Sequence, residues 1–139
     1  MILLDTNVIS EPLRHAPEVR VINWIDAQSL ETLYLSAITV AELRFGIANL
    51  PAGKRRDELQ SSLENQILPL FSVRVLPFDM NCTIAYAELM AKAKSTGLAI
   101  AAADGYIAAI AATNRFSVAT RDVSPFQAAG LNVINPWND

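Results

Sequence analysis

Residues 1–10 of the chain read MILLDTNVIS, and this opening stretch decides the fold class. Ile2–Leu4 is a short apolar run typical of a buried strand, and the polar residues Asp5, Thr6 and Asn7 follow it directly. In parallel α/β sheets, ligands bind beyond the carboxyl ends of the strands. Asp5 is therefore the first candidate for a functional carboxylate. The alternative is that Asp5 only caps the next helix or forms an Asx turn, which is a common role of Asp.

Short apolar runs alternate with longer helical stretches along the rest of the chain, as in an α/β domain. The predicted strands are residues 2–4, 33–35, 73–76, 117–119 and 132–134. The first, second and fourth of these are each followed by a carboxylate or hydroxyl residue and then by a helix. No repeat, low-complexity tract or linker divides the chain. We therefore expect one domain over residues 1–139, with a central, mainly parallel sheet.

Helical spacing and end signals predict the longer helices. One begins at Pro17 and runs through Ile25, one is marked by Leu59, Leu63, Gln66 and Leu70, one runs from Asp79 towards Gly97, and one spans residues 102–115. The last is rich in alanine, whose small side chain lets a neighbouring element approach closely.

Composition restricts the classes of protein that the chain can belong to. It has 139 residues, 52% of them hydrophobic, and a net charge of −3. Its apolar runs are far shorter than the ~20 residues that cross a bilayer, and no basic leader precedes the acid at position 5. The single cysteine, Cys82, rules out an internal disulfide and fits a reducing compartment. We expect a cytoplasmic protein without a membrane partner. The negative charge counts mildly against nucleic acid as a partner unless cations or a basic protein bridge to the phosphates.

Three further carboxylates occur at predicted element ends or helix starts rather than in charge runs. They are Glu42, Asp104 and Asp122. Each also has a purely structural explanation. Glu42 would complete a capping box with Thr39, the helix dipole favours Asp104 in a first turn, and Asp122 would belong to a turn.

A cluster of carboxylates without counter-charges implies a divalent cation, because the charges repel each other and are costly to desolvate. Oxygen ligands favour Mg²⁺ or Mn²⁺. The only histidine, His15, lies in a predicted loop, so a zinc site or a Ser-His-Asp triad has little support. We therefore expect a metal-binding and catalytic set of Asp5, Glu42, Asp104 and Asp122.

The whole chain resembles the PIN-domain toxins of the VapC group. Each motif that carries the resemblance is weak alone, but their order and spacing are specific. The motifs are residues 3–11 (LLDTNVISE), 35–43 (LSAITVAEL), 100–109 (IAAADGYIAA), 118–122 (VATRD) and 135–137 (NPW).

This resemblance implies a PIN fold, in which helices cover both faces of the parallel sheet. It implies the toxin of a type II toxin–antitoxin pair, an endoribonuclease that hydrolyses RNA phosphodiester bonds with water activated by Mg²⁺ or Mn²⁺. It also implies a homodimer and an antitoxin whose ribbon-helix-helix end binds DNA, with higher hetero-oligomers as an option. DNA would then be contacted only through the antitoxin.

Residues beside the acids have candidate roles in the same site. Thr6 and Thr120 would orient Asp5 or the attacking water through their hydroxyl groups, or would instead satisfy backbone groups at strand ends. Arg121 and Arg115 lie near the acids in sequence and are candidate contacts for RNA phosphates.

The stretch after the fourth strand departs from the commoner family pattern T-x-N-x-x-D-F. Here Asp122 stands at the usual Asn and Pro125 at the usual Asp. One branch of the group shares the present pattern. We therefore assign the fourth carboxylate to Asp122.

Two other functions remain open at this point. The opening apolar run before Asp5 also resembles a phosphatase with an Asp nucleophile, but the second Asp of that motif is replaced by Asn7 and none of the downstream lysines is a convincing partner. The other alternative is a noncatalytic interaction module in which the acids only cap helices.

Overall fold

The computed structural model describes residues 1–138. Its helices and strands follow the order expected of an α/β chain. The elements are β1 (Ile2–Leu4), α1 (Thr6–Ser10), α2 (Val19–Ala27), β2 (Leu33–Ser36), α3 (Ala37–Ala48), α4 (Lys54–Ser62), β3 (Val75–Leu76), α5 (Met80–Ser95), α6 (Ala102–Asn114), β4 (Ser117–Ala119), α7 (Val123–Ala128) and β5 (Val133–Ile134). No helix within the described range is long and apolar enough to cross a membrane.

The five strands form one sheet in the order β3-β2-β1-β4-β5, and every neighbouring pair is parallel. The predicted mainly parallel sheet is confirmed. The chain moves from β1 outward to β2 and β3, then returns to the other side of β1 to form β4 and β5. The connections therefore diverge between β1 and β4, and ligands bind at such a switch point in open α/β sheets.

Alternate residues of the strands enter two separate cores, one on each face of the sheet. Leu4 belongs to a buried cluster with Leu33 and Leu35, whereas Leu3 packs with Ile107 and Val118 in the other. This alternation follows from the two-residue period of a strand. The first core includes Val21 of α2 and Leu43 of α3, and the second includes Leu89 of α5 and Phe126 of α7. The sheet therefore lies between two helical layers, as expected of a PIN fold.

Two of the predicted helices differ from the structure. Pro17 does not lie at a first helical position, because α2 begins at Val19 and Glu18 caps it by accepting a hydrogen bond from the Arg20 amide. The helix predicted through Leu70 ends at Ser62 and gives way to a π turn (Leu63–Ile67) and a 3-10 turn (Leu68–Phe71). Pro69 could not donate the backbone hydrogen bond that an α-helix through Leu70 would need at that position, since proline has no N–H.

The other two predicted helices are confirmed. Asp79 caps α5 by accepting a hydrogen bond from the Cys82 amide, and Gly97 adopts a left-handed φ of 77° just beyond the helix end. The alanine-rich α6 packs closely on α5. A Cβ added at Gly105 would lie 2.8 Å from Met90 Sδ and 3.1 Å from Tyr86 Cε2, so a larger residue at this position would force the Met90 and Tyr86 side chains to move.

Candidate metal centre

Asp5 and Thr120 meet at the carboxyl ends of the two central strands. Leu4 pairs with Ala119 in the sheet, and the Asp5 amide continues the ladder by donating to the Ala119 carbonyl at 2.9 Å. The next residue on each strand therefore faces the other across the switch point. Thr120 is fully buried and its hydroxyl donates to Asp5 Oδ2 at 2.8 Å.

The Asp5 carboxylate is buried, with only 4% of the residue exposed. Its Oδ1 accepts a hydrogen bond from the Thr6 amide at 2.8 Å, so Asp5 does cap α1. Burial raises the pKa of Asp5 to about 6, while the hydrogen bonds from Thr120 and Thr6 act in the opposite direction. The charges of Asp104 and Glu42 add to the increase. Capping of α1 therefore accounts for the position of only one of the two carboxylate oxygens. The raised pKa indicates that negative charge around Asp5 is not balanced by positive charge.

Glu42 reaches this region from α3 through Thr6. The Thr6 hydroxyl donates to Glu42 Oε1 at 2.7 Å and lies 3.1 Å from the hydroxyl of the buried Thr39. The alternative role of Glu42, a capping box with Thr39, is not what the structure shows. Ser36 caps α3 instead, by accepting a hydrogen bond from the Thr39 amide at 3.0 Å. The Glu42 carboxylate therefore does not cap α3 and can take part in the acidic site.

Asp104 and Asp122 approach from the other side of the switch point. Asp104 lies in the first turn of α6, and burial followed by the charges of Asp122 and Glu42 raises its pKa above the usual range. Asp122 precedes α7, but its side chain makes no capping hydrogen bond. Its amide donates to the Thr120 hydroxyl at 3.0 Å. The charges of Asp104 and Glu42 therefore act on Asp5, and those of Asp122 and Glu42 act on Asp104.

The chemistry of these donors fits a divalent cation. The carboxylates repel one another, and a cation between them would relieve that repulsion. Within residues 1–138, no three acidic, histidine or cysteine side chains stand close enough to chelate an ion by themselves. This spacing is compatible with Mg²⁺, which usually keeps several waters and takes only one or two protein carboxylates.

The two arginines proposed as phosphate contacts lie at opposite edges of the sheet. Arg121 directly follows Thr120 at the carboxyl edge. Arg115 ends α6, whose first turn carries Asp104, and it precedes β4. The thirteen-residue helix is about 20 Å long, so Arg115 does not join the acids.

Asn7 is a site residue for which the sequence alone suggested no role. Its Nδ2 lies 3.4 Å from both Asp5 Oδ2 and Thr120 Oγ1, and its Oδ1 accepts a hydrogen bond from the Arg121 amide at 3.2 Å. Asn7 thus connects the loop after β1 with the loop after β4. The only sequence signal was its place two residues after Asp5, where an amide can both donate and accept hydrogen bonds.

The raised pKa of Asp5 predicts a pH dependence for the metal-free protein. A folded-state pKa of about 6, against 3.8 in the unfolded chain, means that stability from this group is full below pH 3.8 and is lost as pH rises through 6. Between pH 5 and pH 8 the loss is on the order of 1 kcal/mol. Urea unfolding in EDTA should show this loss in the wild type and not in Asp5→Asn. Identical pH profiles for the two proteins would contradict it.

Comparison with known proteins places this arrangement in a family. The PIN domain family matches residues 2–131. The chain is 67% identical to the plasmid stability protein StbB of Pseudomonas syringae pv. tomato, with 99% of both chains covered. It is 62% identical to the VapC ribonuclease Y4jK of Sinorhizobium fredii, covering 99% of this chain and 98% of the relative.

The toxin FitB of Neisseria gonorrhoeae is 57% identical over the full length of both chains. A crystal structure of FitAcB from the same organism overlays with a TM-score of 0.97 at 56% identity and full coverage of both chains. A structure of FitAB bound to an IR36 DNA fragment gives a TM-score of 0.96 at 55% identity, covering 99% of this chain and 96% of the other. The expected resemblance to the PIN-domain toxins is confirmed, and one of these relatives is named a ribonuclease. With its parallel sheet, its acidic switch point and these matches, the chain belongs to the PIN domain family.

Proposed function

We propose that this protein is the toxin of a type II toxin–antitoxin pair and acts as a Mg²⁺- or Mn²⁺-dependent endoribonuclease. Asp5, Glu42, Asp104 and Asp122 would hold the metal, some of them through its bound waters. The whole chain would act as a single cytoplasmic PIN domain. The observation that carries the proposal is the buried Asp5 carboxylate at the switch point, whose pKa is raised to about 6 beside the other acids. The ribonuclease and toxin among the full-length relatives support the substrate and the biological role.

Different groups of the chain would have different roles in phosphodiester hydrolysis. Thr120 and the Thr6 amide each donate to one oxygen of Asp5 and so fix the orientation of that carboxylate. The Thr6 hydroxyl does the same for Glu42. When bound, the metal would lower the pKa of a water and neutralise charge on the scissile phosphate. Arg121 at the same edge would contact a neighbouring phosphate of the RNA.

The acidic site also suggests how an antitoxin would inhibit the enzyme. A basic side chain from the antitoxin would pair with the carboxylates and displace the cation and substrate phosphate. We propose that this partner carries a ribbon-helix-helix domain that binds DNA and that the toxin is a homodimer in the complex. The FitAB complex with DNA, formed by a protein closely similar in sequence and fold, supports such an assembly.

The alternatives from the sequence have less support. A phosphatase with an Asp nucleophile would need a second acid at position 7, where the Asn7 amide instead bridges Asp5, Thr120 and the Arg121 amide. A noncatalytic module would need no cation. Calorimetric titration of the protein with Mn²⁺ would distinguish it from the enzyme.

The decisive experiment is digestion of a pooled RNA set by the purified protein in Mn²⁺, in Mg²⁺ and in EDTA, followed by mapping of the new RNA ends. We expect cleavage with either ion and none in EDTA. In the native host, expression alone should slow growth and co-expression of the antitoxin should restore it. An active enzyme that is harmless when overexpressed would exclude the toxin role.

Asp122→Asn tests the fourth carboxylate. Because the Asp122 side chain caps nothing, the change should leave the melting temperature nearly unaltered. It should weaken metal binding, so that activity falls at limiting Mn²⁺ and partly recovers as the concentration rises. Asp26→Asn on the exposed surface of α2 removes the same charge and serves as the control. An unchanged metal titration in Asp122→Asn would remove Asp122 from the site.

A further inference from the structure

Arg121 and Trp137 form a cation–π pair at the carboxyl edge of the sheet. Arg121 follows β4 and Trp137 follows β5, and these two strands are parallel neighbours. The Arg121 guanidinium carbon lies 5.3 Å from the centroid of the Trp137 ring. A cation at this distance from an indole face is attracted by the ring's negative face, so the exposed Arg121 side chain has a preferred position.

Both partners are held by other contacts. The Trp137 amide donates to Asn135 Oδ1 at 3.0 Å, and its carbonyl accepts a hydrogen bond from Arg20 at 2.6 Å. The ring also packs against the core on the Leu4 side of the sheet. The backbone of Arg121 is fixed separately by the hydrogen bond from its amide to Asn7 Oδ1.

A guanidinium held over an aromatic ring still has N–H groups that can donate to other acceptors. Arginine binds phosphate through two such N–H groups, and holding the side chain in place lowers the entropy lost when the phosphate binds. Within residues 1–138, Arg121 forms no ion pair with a carboxylate. The cation–π pair therefore offers a preorganised cation next to a site that is otherwise negative.

We propose that Trp137 is a positioning residue for substrate binding, which holds Arg121 ready to bind a backbone phosphate of the RNA beside the scissile bond. The proposal rests on the ribonuclease function proposed above. It assigns a role to the carboxyl-terminal Asn135-Pro136-Trp137 segment, which supplies none of the acids. Trp137 acts only through Arg121, and this separates the proposal from a general packing role.

A double-mutant cycle on the full-length protein tests the proposal through the kinetics of RNA cleavage at saturating Mn²⁺. Arg121→Gln should raise KM for RNA by about tenfold with little change in kcat. The slope of the logarithm of RNA affinity against the logarithm of salt concentration should become less steep by about 1, which corresponds to the loss of one phosphate contact. In a protein that keeps Arg121, Trp137→Leu should raise KM for RNA by about threefold to tenfold. In the Arg121→Gln background, Trp137→Leu should have no further effect on KM. Trp137→Phe should retain most of the wild-type affinity because it keeps an aromatic face.

Arg115→Gln is the matched control, because it removes the same charge from an exposed arginine at the opposite edge of the sheet. Its KM should stay near the wild-type value. If Trp137→Leu leaves KM unchanged, or raises it equally in the Arg121→Gln background, the positioning role is excluded while the ribonuclease function stands. If the wild type cleaves no RNA under any condition, the proposed function itself fails.

Trp137 also contributes to packing, so Trp137→Leu has to be compared at a temperature well below its own melting point. If it does not fold, Arg121→Lys carries the test, since position 121 is exposed. Lysine keeps the charge but lacks the planar guanidinium, and KM should rise by about threefold. A KM equal to that of the wild type would show that charge alone is sufficient and would overturn the role of the ring.

Discussion

Asp5→Asn should abolish RNA cleavage, with a fall in rate of roughly a thousandfold or more, because a neutral amide removes the buried charge on which metal binding depends. The same variant should be more stable than the wild type in EDTA at pH 8, because a carboxylate with a pKa of about 6 is ionised there at a cost to the fold. The gain should be about 1 kcal/mol, since Asn cannot replace both of the oxygens that accept from Thr6 and Thr120. Cleavage kinetics and urea unfolding measure the two effects separately.

The combination of lost activity and gained stability distinguishes a functional carboxylate from a helix cap. If Asp5 were only the cap of α1, Asn would substitute with little loss, because Asn is an equally good capping residue. Asp26→Asn is the control for charge and should change neither property. Wild-type cleavage by Asp5→Asn would refute the proposed mechanism, and a less stable variant at pH 8 would refute the electrostatic account.

Phe126→Ala should cause a large loss of stability, about 3 to 5 kcal/mol in the free energy of unfolding. Phe126 is fully buried, and its ring packs in the core on the Leu3 side of the sheet, which anchors the short helix α7. Because Asp122 precedes α7, a loosened helix should also raise the Mn²⁺ concentration needed for half-maximal activity. Urea unfolding and a metal titration of the folded protein test the two expectations.

Two variants serve as controls for Phe126→Ala. Phe126→Leu retains most of the buried volume and should cost less than about 1.5 kcal/mol. Phe45→Ala removes an identical side chain that is 70% exposed, so its effect should stay within about 0.5 kcal/mol. If Phe126→Ala and Phe45→Ala cost the same, burial in this core does not anchor α7.

Local patterns in the sequence predicted much of the fold because they report local physics. Ile2–Leu4 and Ser117–Ala119 were predicted with the bounds that the structure has, since short apolar runs between polar residues have few other conformations in a packed domain. The Asp79 cap and the stop at Gly97 were predicted for the same reason, because both depend on residues close in sequence. The predictions that failed, at Pro17 and Leu70, concerned element boundaries, which local patterns determine least well.

The residue types of the candidate site, and their places after strands or at helix starts, follow from the sequence alone. It identified Asp5, Glu42, Asp104 and Asp122 as candidates without giving the distances between them. Only the order of the strands places the loop after β1 beside the loop after β4, more than a hundred residues later in the chain.

Tertiary structure also decided which arginine lies near the acids and which does not. Arg115 and Arg121 are six positions apart in the sequence, yet β4 runs between them and places them at opposite edges of the sheet. The contacts of Asn7 with Thr120 and of Arg121 with Trp137 likewise join residues from different strand ends. A sequence pattern reports the periodicity of one element, whereas these contacts depend on how separate elements pack, and their free energy is gained only when the sheet assembles.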